Sequence, residues 1–305
     1  MARAIGRFIS SQAAAVVTPR RSALYIPGSN LRALEKAKAL PADVLIFDCE
    51  DAVSPANKVL AREQIANAVR SCGYGKREIA VRINSPDSVW GRDDVRALSG
   101  GPPCTLLLPK VECVDSIEGA VYEARAHGWA GEVSIWCMVE TPLGVLRAPE
   151  LAEHTAVTAL VAGTSDLAAD MRCDGAWEER AALLPHLAHI VLAARAHGKA
   201  CLDGVHLDLS DEAGFERSCM QGRALGFDGK TLIHPKTIEA ANLVFAPAPS
   251  EMERARRVVA AFAEASAAGS ALVVLDGKLV EELHVRSALR LLALHDAIGH
   301  QASDN

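Results

Sequence analysis

Two carboxylates end apolar segments near the middle of the chain. Glu140 closes the run SIWCMVE and stands directly before a Thr-Pro pair, and Asp166 follows the apolar run ALVAG after a Thr-Ser pair. Three further acids lie in the segment FDCEDAV, namely Asp48, Glu50 and Asp51. Carboxylates that converge repel one another unless a cation lies among them. Hard oxygen ligands without a histidine cluster favour Mg²⁺, with Mn²⁺ as the alternative, over zinc.

Two basic side chains occupy comparable positions. Arg82 lies in VRIN and Lys110 in LLLPK, each at the end of an apolar run. An arginine can hold a carboxylate through two parallel charge-assisted hydrogen bonds. The sequence therefore predicts a site for a 2-keto or 2-hydroxy acid. Arg82 would bind the carboxylate of this acid, and a metal ion with open coordination positions would bind its other oxygen. The metal would polarise the carbonyl or hydroxyl oxygen of that acid.

Each of these residues also has a purely structural interpretation. Glu140 and Asp166 can cap the helices that begin after them, because acids are favoured in the first turn of a helix. The acids of FDCEDAV can be solvated loop residues or ion-pair partners of Lys110 and Arg82. We interpret Lys110 itself as structural, because nothing in the sequence requires a Schiff base.

The elements that carry these residues form an alternating pattern. Eight short apolar segments are each followed by a helix-patterned segment. The predicted strands are 22–27, 44–48, 78–84, 105–110, 134–140, 156–163, 199–204 and 229–235. Eight such units predict an α/β fold of the (β/α)₈ TIM-barrel type, whose strands are buried on both faces and therefore show continuous apolar runs. An open doubly wound sheet is the alternative, but no GxGxxG follows the first strand.

A barrel of parallel strands brings the carboxyl ends of all eight strands to one rim, where such folds place catalysis. The residues at these ends would therefore share a common mouth. They are Asp48, Glu50, Asp51, Arg82, Asn84, Lys110, Glu140, Asp166, Asp203 and His234. We interpret His234, which precedes Pro235, as a hydrogen-bonded rim residue.

The pattern changes after Pro247. A helical stretch over 251–268 precedes a strand-like segment with a turn at Asp276-Gly277, and a last helix follows. The predicted parts are a flexible tail over 1–20, the barrel over 21–247, and a helical and hairpin extension over 248–305. The extension would act as a lid, as an oligomerisation surface, or as both.

Composition limits the function classes. The chain has 305 residues, of which 50% are hydrophobic and 23% charged, so it is not disordered as a whole. A net charge of -6, from 32 basic and 38 acidic residues, gives no reason to expect nucleic acid or an anionic membrane as partner. No apolar run reaches the ~18 residues of a transmembrane helix. We expect small molecules as the main partners.

The cysteines and the N-terminus bear on location. None of the eight cysteines forms a CxxC pair, and we interpret them as free thiols in a reducing compartment. This predicts a cytoplasmic protein. The first 20 residues are basic, rich in Ala and contain no acid, which is typical of a mitochondrial presequence and equally of a frayed bacterial N-terminus. The mitochondrial matrix is therefore the alternative location.

An ordered set of motifs resembles a known family. The segments RSALYIPG, FDCEDAV, VRIN, LPK, ETPLG, AGTSDL, GFDGKTLIHP and LDGKLVEE occur in this order. Together they resemble the citrate lyase β-subunit family within the HpcH/HpaI aldolase superfamily, which includes malyl-CoA and citramalyl-CoA lyases. The similarity spans about residues 21 to 295, nearly the whole chain except the N-terminal tail.

The resemblance implies a function and a set of roles. It implies Mg²⁺-dependent cleavage of a 3-hydroxyacyl-CoA, such as malyl-CoA or citramalyl-CoA, into acetyl-CoA and a 2-keto acid. The metal would be bound by Glu140 and Asp166, and the substrate carboxylate by Arg82. The acids of FDCEDAV would lie around the metal, with a catalytic role for Asp48 and substrate-binding roles for Glu50 and Asp51. Three basic residues are candidates for the CoA phosphates, namely Arg21, Lys58 and Arg62.

Two positions depart from the family pattern. Family members commonly carry Asp in the late part of the extension, where in several of them it reaches the site of a neighbouring subunit and serves in proton transfer. This chain has Glu281 there, with about 1.5 Å more reach. Ser165 stands where some relatives have a second acid. We therefore expect altered substrate preference or weak activity, and a homotrimer or larger homo-oligomer.

Three hypotheses remain open from the sequence. The first is a carbon-carbon lyase for a 3-hydroxyacyl-CoA. The second is the β subunit of a citrate lyase that acts on a citryl thioester of an acyl carrier protein. The third is a catalytically weak protein that binds a keto acid or CoA and no longer turns it over because of the change at Glu281.

Overall fold

Eight parallel strands close into a barrel in the order β1 to β8. The structure, a computed structural model, describes residues 17–174, 180–267 and 273–303. The barrel strands are β1 (Ser22–Pro27), β2 (Val44–Asp48), β3 (Glu78–Arg82), β4 (Thr105–Leu108), β5 (Ser134–Val139), β6 (Val157–Ala162), β7 (Ala200–Asp203) and β8 (Gly229–Leu232). β1 pairs with β8 in parallel, Ala23 opposite Thr231, which closes the ring. The predicted (β/α)₈ TIM barrel is confirmed.

Helices surround the barrel between successive strands. They are α1 (Leu31–Ala37), α2 (Lys58–Ser71), α3 (Gly91–Leu98), α4 (Val114–Ala126), α5 (Pro142–Leu146), α6 (Ala148–Glu153), α7 (Thr164–Met171), α8 (Leu184–Ala196), α9 (Glu212–Leu225) and α10 (Ile238–Phe245). Asn30 caps α1, since its side chain accepts a hydrogen bond from the Ala33 backbone N–H. Such caps satisfy backbone donors that the helix leaves free.

The strands are buried on both faces, as their continuous apolar runs predict. One cluster, which includes Ile46, Trp136 and Met138, fills the inside of the barrel. A larger cluster lies between strands and helices and includes Phe47, Leu106 and Val139. Successive residues of one strand, such as Ile46 and Phe47, belong to different clusters because side chains alternate across a strand.

Some strands end one to three residues earlier than predicted. β3 ends at Arg82, β4 at Leu108 and β8 at Leu232. Lys110 has a left-handed backbone with φ of 50°, which a parallel ladder cannot continue. Asn84, Lys110 and His234 therefore belong to the rim loops and not to the ladder.

The contacts divide the chain into two compact units, of which Arg20–Phe245 is the barrel. The other unit, from Ala246 on, contains α11 (Pro249–Ala267), the antiparallel hairpin of β9 (Val273–Leu275) and β10 (Lys278–Val280), and α12 (Glu282–Ser303). α11 packs on α12 and on β9 around a small core with Val258, Val273 and Val285. Asp276 and Gly277 form the predicted turn with φ of 52° and 74°.

The remaining predictions about the chain concern its N-terminus, its thiols and membranes. The predicted tail lies largely outside the described residues, but Arg20 belongs to the barrel unit and forms a two-bond ion pair with Glu78. All eight cysteines are free thiols. Among the described helices, none combines the length and the apolar character needed to cross a membrane.

Candidate active site

The carboxyl ends of the strands gather most of the predicted polar residues at one rim. Asp48 is the last residue of β2 and Arg82 the last of β3, and the two are register partners in the sheet. Glu140 directly follows β5, where Thr141 caps α5 through the Gly144 backbone N–H and ends the strand. The sequence ETP thus fixes the carboxylate at the point where the strand gives way to a helix.

Asp48 and Arg82 form a buried two-bond ion pair. The Arg82 Nε and Nη2 atoms donate to the two Asp48 carboxylate oxygens at 2.8 and 2.6 Å. Asp48 is fully buried and also accepts hydrogen bonds from the backbone N–H groups of Glu50 and Ala52. Burial alone would lower the pKa of Arg82, but its bonds to Asp48 and the surrounding acids raise it. The guanidinium is therefore permanently charged and fixed in orientation.

Two more acids of the same loop approach the third nitrogen of this guanidinium. Arg82 Nη1 lies 3.1 Å from Glu50 Oε2 and 3.6 Å from Asp51 Oδ2. The Asp51 backbone N–H donates to Glu50 Oε2. Burial raises the pKa of Glu50, against the lowering effect of Arg82. Arg82 Nη1 is thus the part of the guanidinium that faces the mouth rather than Asp48.

Glu140 is a buried carboxylate on the same rim, only 3% exposed. Its Oε1 accepts a hydrogen bond from the Lys110 backbone N–H at 2.7 Å. Burial raises the pKa of Glu140 to about 7, and the charges of Asp166 and Glu50 add to this effect. The carboxylate packs closely against Gly163. A Cβ added at Gly163 would lie only 2.5 Å from Glu140 Oε2. A cation next to Glu140 would favour its charged form.

Lys110 and Asp166 complete the group. The Lys110 Nζ lies 3.5 Å from Glu50 Oε1 and 3.7 Å from Asp166 Oδ2. Partial burial tends to lower the pKa of Lys110, but the four neighbouring carboxylates outweigh it and the pKa is raised. Asp166 lies in the first turn of α7 with 42% of its side chain exposed. In the structure, the lysine ammonium supplies the positive charge that the acids require.

The donor set fits a hard divalent cation. Glu140 is desolvated and interacts electrostatically with Asp166 and Glu50, and all these ligands are oxygens, as Mg²⁺ prefers. Within the described ranges, no group of three or more His, Cys, Asp or Glu side chains is arranged to hold a metal. A Mg²⁺ ion at Glu140 and Asp166 would therefore take its other ligands from water and substrate, as Mg²⁺ commonly does.

Two of the three basic residues suggested for the CoA phosphates are engaged inside the protein. Lys58 is 6% exposed and donates to the carbonyl oxygens of Cys49 and Glu50. Its ammonium also lies over the Trp90 ring. Arg62 pairs with Asp94 at 2.7 Å. Lys58 thus supports the loop that carries Glu50 and does not face a phosphate from solution.

The structure corrects the suggestion that Arg21 binds CoA phosphates near the mouth of the barrel. Arg21 precedes β1, and its guanidinium forms two bonds with Asp43, which precedes β2. Both residues therefore lie at the amino-terminal end of the barrel, opposite the carboxylates. This end of a TIM barrel contributes stability rather than catalysis.

The other polar residues predicted at the strand ends form contacts within the protein. Asn84 donates to Asp94 and to the Cys49 carbonyl. Asp203 is fully buried and pairs with Lys230 and Arg180, which outweigh the effect of burial and lower its pKa. His234 is exposed, and its ring accepts from the Lys236 backbone N–H, as its interpretation as a rim residue predicts.

Glu281 lies in the other unit, directly before α12. Its side chain is exposed, and its backbone N–H donates to the His284 ring. Its catalytic role stays a prediction.

One side chain at this rim was missed by sequence reasoning. Tyr25, on β1, has its ring centroid 4.7 Å from the Arg82 guanidinium carbon. Its signal in the sequence was a polar-tipped aromatic within the apolar strand SALYIP, but only the barrel geometry brings it next to β3.

Comparisons with known proteins identify relatives of this chain. Residues 21–235 match the family HpcH/HpaI aldolase/citrate lyase. The chain is 45% identical over 280 residues to a (3S)-malyl-CoA thioesterase of Cereibacter sphaeroides, with 92% of this chain and 96% of the relative covered. It is 34% identical over 284 residues to the citrate lyase subunit beta of Leuconostoc mesenteroides subsp. cremoris, with 91% and 94% covered.

A solved structure shares the fold over most of this chain. It is the CitE protein of Mycobacterium tuberculosis in complex with magnesium, acetoacetate and coenzyme A, which matches with a TM-score of 0.73 and 28% identity. The match covers 90% of this chain and 97% of that protein. The resemblance noted in the motifs is confirmed, and the chain belongs to the HpcH/HpaI aldolase/citrate lyase family of enzymes.

Proposed function

We propose that the chain is a Mg²⁺-dependent enzyme that acts on the CoA thioester of a 3-hydroxy dicarboxylic acid of the malyl-CoA type. The observation that carries the proposal is a buried, desolvated carboxylate, Glu140, on the same rim as a fixed guanidinium, Arg82. A metal-binding acid and a carboxylate-binding arginine are what such a substrate requires.

The residues of the rim take separate roles. Glu140 and Asp166 would hold Mg²⁺, which when bound polarises the hydroxyl or carbonyl oxygen of the substrate. Arg82 would offer Nη1 to the substrate carboxylate, because Nε and Nη2 are held by the buried Asp48. The substrate would replace Glu50 and Asp51, which lie 3.1 and 3.6 Å from Nη1. Asp48 positions Arg82 rather than transferring a proton, since both of its oxygens already accept hydrogen bonds.

The first candidate reaction is hydrolysis of the thioester. Water adds to the thioester carbonyl, the C–S bond breaks, and the CoA thiol leaves with a proton to give the free hydroxy acid. The support is the 45% identity, over nearly the whole of both chains, to a relative named as a malyl-CoA thioesterase.

The second candidate reaction is cleavage of the carbon-carbon bond. The substrate hydroxyl loses its proton, the bond between the hydroxyl-bearing carbon and the carbon next to the thioester breaks, and the thioester enolate collects a proton. Malyl-CoA would give acetyl-CoA and glyoxylate, and citramalyl-CoA would give acetyl-CoA and pyruvate. The family description and the citrate lyase relative support this reaction. We propose Glu281 as the group that supplies the proton.

The same barrel can act on a carrier-protein thioester. The relative named as a citrate lyase subunit beta supports a citryl thioester of an acyl carrier protein as the alternative substrate. Co-purification of a carrier subunit from the native cell would favour this alternative. Binding of a keto acid with Mg²⁺ but without any product would favour a binding role.

The test is a mass-spectrometric assay of the purified protein with Mg²⁺ and (3S)-malyl-CoA, citramalyl-CoA, β-methylmalyl-CoA or citryl-CoA. Free CoA and the hydroxy acid indicate hydrolysis, whereas a shorter acyl-CoA and a 2-keto acid indicate carbon-carbon cleavage. For malyl-CoA these products are malate in the first case, and acetyl-CoA and glyoxylate in the second. Either activity should be lost with EDTA and in Glu140→Gln. A protein that releases neither set of products from any of these thioesters, with Mg²⁺ shown to be bound, would contradict the proposal.

A further inference from the structure

Tyr25 lies two residues before the carboxyl end of β1, a strand that the proposed roles do not use. It belongs to β1 and pairs in register with Ile46 of β2. Its ring packs against the cluster inside the barrel, which includes Met138. The residue is only half-buried, so part of its side chain remains accessible.

The ring of Tyr25 supports the guanidinium proposed to bind the substrate. The Arg82 Cζ lies 4.7 Å from the ring centroid, within the range of a cation–π contact. Asp48 holds the Nε and Nη2 edge of the same guanidinium. Arg82 is therefore fixed by a carboxylate on its edge and by an aromatic face. Its Nη1 atom pairs with Glu50 and Asp51 at 3.1 and 3.6 Å, and a substrate carboxylate would take the place of these acids.

The hydroxyl of Tyr25 has a poor partner within the protein. It lies 3.6 Å from Met138 Sδ, and a thioether is a weak acceptor. Burial raises the pKa of Tyr25, against the effect of Arg82, so the hydroxyl keeps its proton at neutral pH. The charged groups that act on it are Arg82, Asp48, Glu140 and Glu50, which are the proposed substrate and metal residues.

We propose that Tyr25 is a further substrate-contacting residue, whose hydroxyl donates a hydrogen bond to the substrate carboxylate that Arg82 Nη1 receives. Its ring positions the guanidinium for that contact. A carboxylate oxygen is a stronger acceptor than the Met138 sulfur, so binding would exchange a weak hydrogen bond for a charge-assisted one. This inference rests on the proposed function, because it takes the substrate to be an acid bound at Arg82.

The experiment separates the hydroxyl from the ring. Tyr25→Phe removes the hydroxyl and keeps the ring under Arg82, whereas Tyr25→Leu removes both. Tyr122→Phe, at an exposed tyrosine of α4 that is 73% accessible, is the matched control. For each full-length protein, calorimetry measures binding of Mg²⁺ and then of malate and glyoxylate, and the mass-spectrometric assay gives kcat and KM with malyl-CoA.

We expect Tyr25→Phe to weaken acid binding by about 10-fold or more, as loss of a hydrogen bond to a charged group does. KM for malyl-CoA should rise, while Mg²⁺ affinity and the melting temperature stay unchanged. Tyr25→Leu should lose more, because Arg82 is then released from its aromatic support. Tyr122→Phe should match the wild type in every measurement.

Two outcomes overturn the inference, and they are distinguishable. If the wild type turns over malyl-CoA and Tyr25→Phe binds the acids and the thioester equally well, the role of Tyr25 is refuted and the proposed function stands. If the wild type binds neither acid and cleaves no thioester, the proposed function fails, and the inference that rests on it fails with it.

Discussion

The two proposed metal-binding carboxylates have different surroundings. Glu140 is 3% exposed and packed behind Gly163, whereas Asp166 keeps 42% of its side chain in solvent. A buried carboxylate resists ionisation when no cation lies beside it, because low polarity disfavours charge. Glu140 therefore destabilises the protein without metal, and in the proposed complex it would bind Mg²⁺.

At the residue scale, we predict that Glu140→Gln stabilises the metal-free protein at pH 8. The pKa of Glu140 is raised from 4.5 to about 7 in the folded protein. Between these two pH values, the carboxyl group is therefore protonated in the folded state and ionised in the unfolded state. The contribution of Glu140 to stability is present below about pH 4.5 and is lost as the pH rises through about 7. The variant should gain roughly 2–3 kcal/mol in the free energy of unfolding at pH 8.

Urea unfolding in EDTA at pH 5 and pH 8 measures this effect. Near pH 5 the variant and the wild type should differ much less, because glutamine mimics the protonated acid and its amide oxygen can still accept from the Lys110 N–H. Glu118→Gln, at an exposed position of α4, controls for removal of a negative charge. An equal stability of Glu140→Gln and wild type at both pH values would contradict the prediction.

At the scale of elements, the junction of β6 and α7 sets the space behind Glu140. Gly163 is the last residue before α7 and has φ of -100°, which any residue can adopt. Its requirement for glycine is therefore steric, since an added Cβ would lie 2.3 Å from the Glu140 Cβ. The loop after β2 is held differently, by hydrogen bonds from the buried ammonium of Lys58 to two backbone carbonyls.

We predict that Gly163→Ala impairs the site more than the fold. The methyl group forces Glu140 out of position, so Mg²⁺ affinity and kcat should each fall by about 10-fold or more, with a loss of about 1–3 kcal/mol in stability from overpacking. Mg²⁺ titration calorimetry, the thioester assay and urea unfolding measure the three quantities. The control is Gly119→Ala in α4, where an added Cβ meets no atom within 4 Å.

The control should behave in the opposite sense. Alanine in a helix is favoured over glycine, so Gly119→Ala should gain about 0.5–1 kcal/mol in stability with unchanged activity. If Gly163→Ala kept the Mg²⁺ affinity and kcat of the wild type, the steric coupling between Gly163 and Glu140 would be refuted.

At the scale of the whole molecule, the question is whether Glu281 serves the site of its own subunit or that of a neighbour. It belongs to the unit that follows the barrel, and its side chain is exposed. The family resemblance predicts that this residue serves the site of a neighbouring subunit. That prediction requires a homo-oligomer, for which we expect a trimer or a larger assembly.

We predict that two inactive variants restore activity when they share an oligomer. Glu281→Gln and Glu140→Gln each lack one group, but a mixed oligomer contains sites with an intact barrel and an intact neighbour, about one site in three for a mixed trimer. Co-expression with two affinity tags isolates the mixed species, and the thioester assay measures its activity.

Three outcomes would contradict this prediction. Without restoration, Glu281 would serve its own subunit. Full activity of Glu281→Gln alone would remove it from the mechanism. A monomer by light scattering would exclude assistance between subunits altogether.

The sequence determined the architecture and the composition of the rim. Eight continuous apolar runs, each followed by a helical pattern, were sufficient for the barrel, because burial on both strand faces leaves a signal that does not depend on distant contacts. The acids at the ends of β2 and β5 could be identified for the same reason. Strand direction alone brings such ends to one rim.

The tertiary structure decided which side chains meet and which are occupied. Asp48 binds Arg82, Lys58 turns inward under the loop of Glu50, and Arg21 lies at the opposite end of the barrel. Tyr25 contacts Arg82 although 56 residues lie between them in the sequence, because both side chains lie on the inner side of the barrel. A side chain type and its spacing define what chemistry is available, but partner choice depends on distances between strands that are remote in sequence, which only the closed barrel fixes.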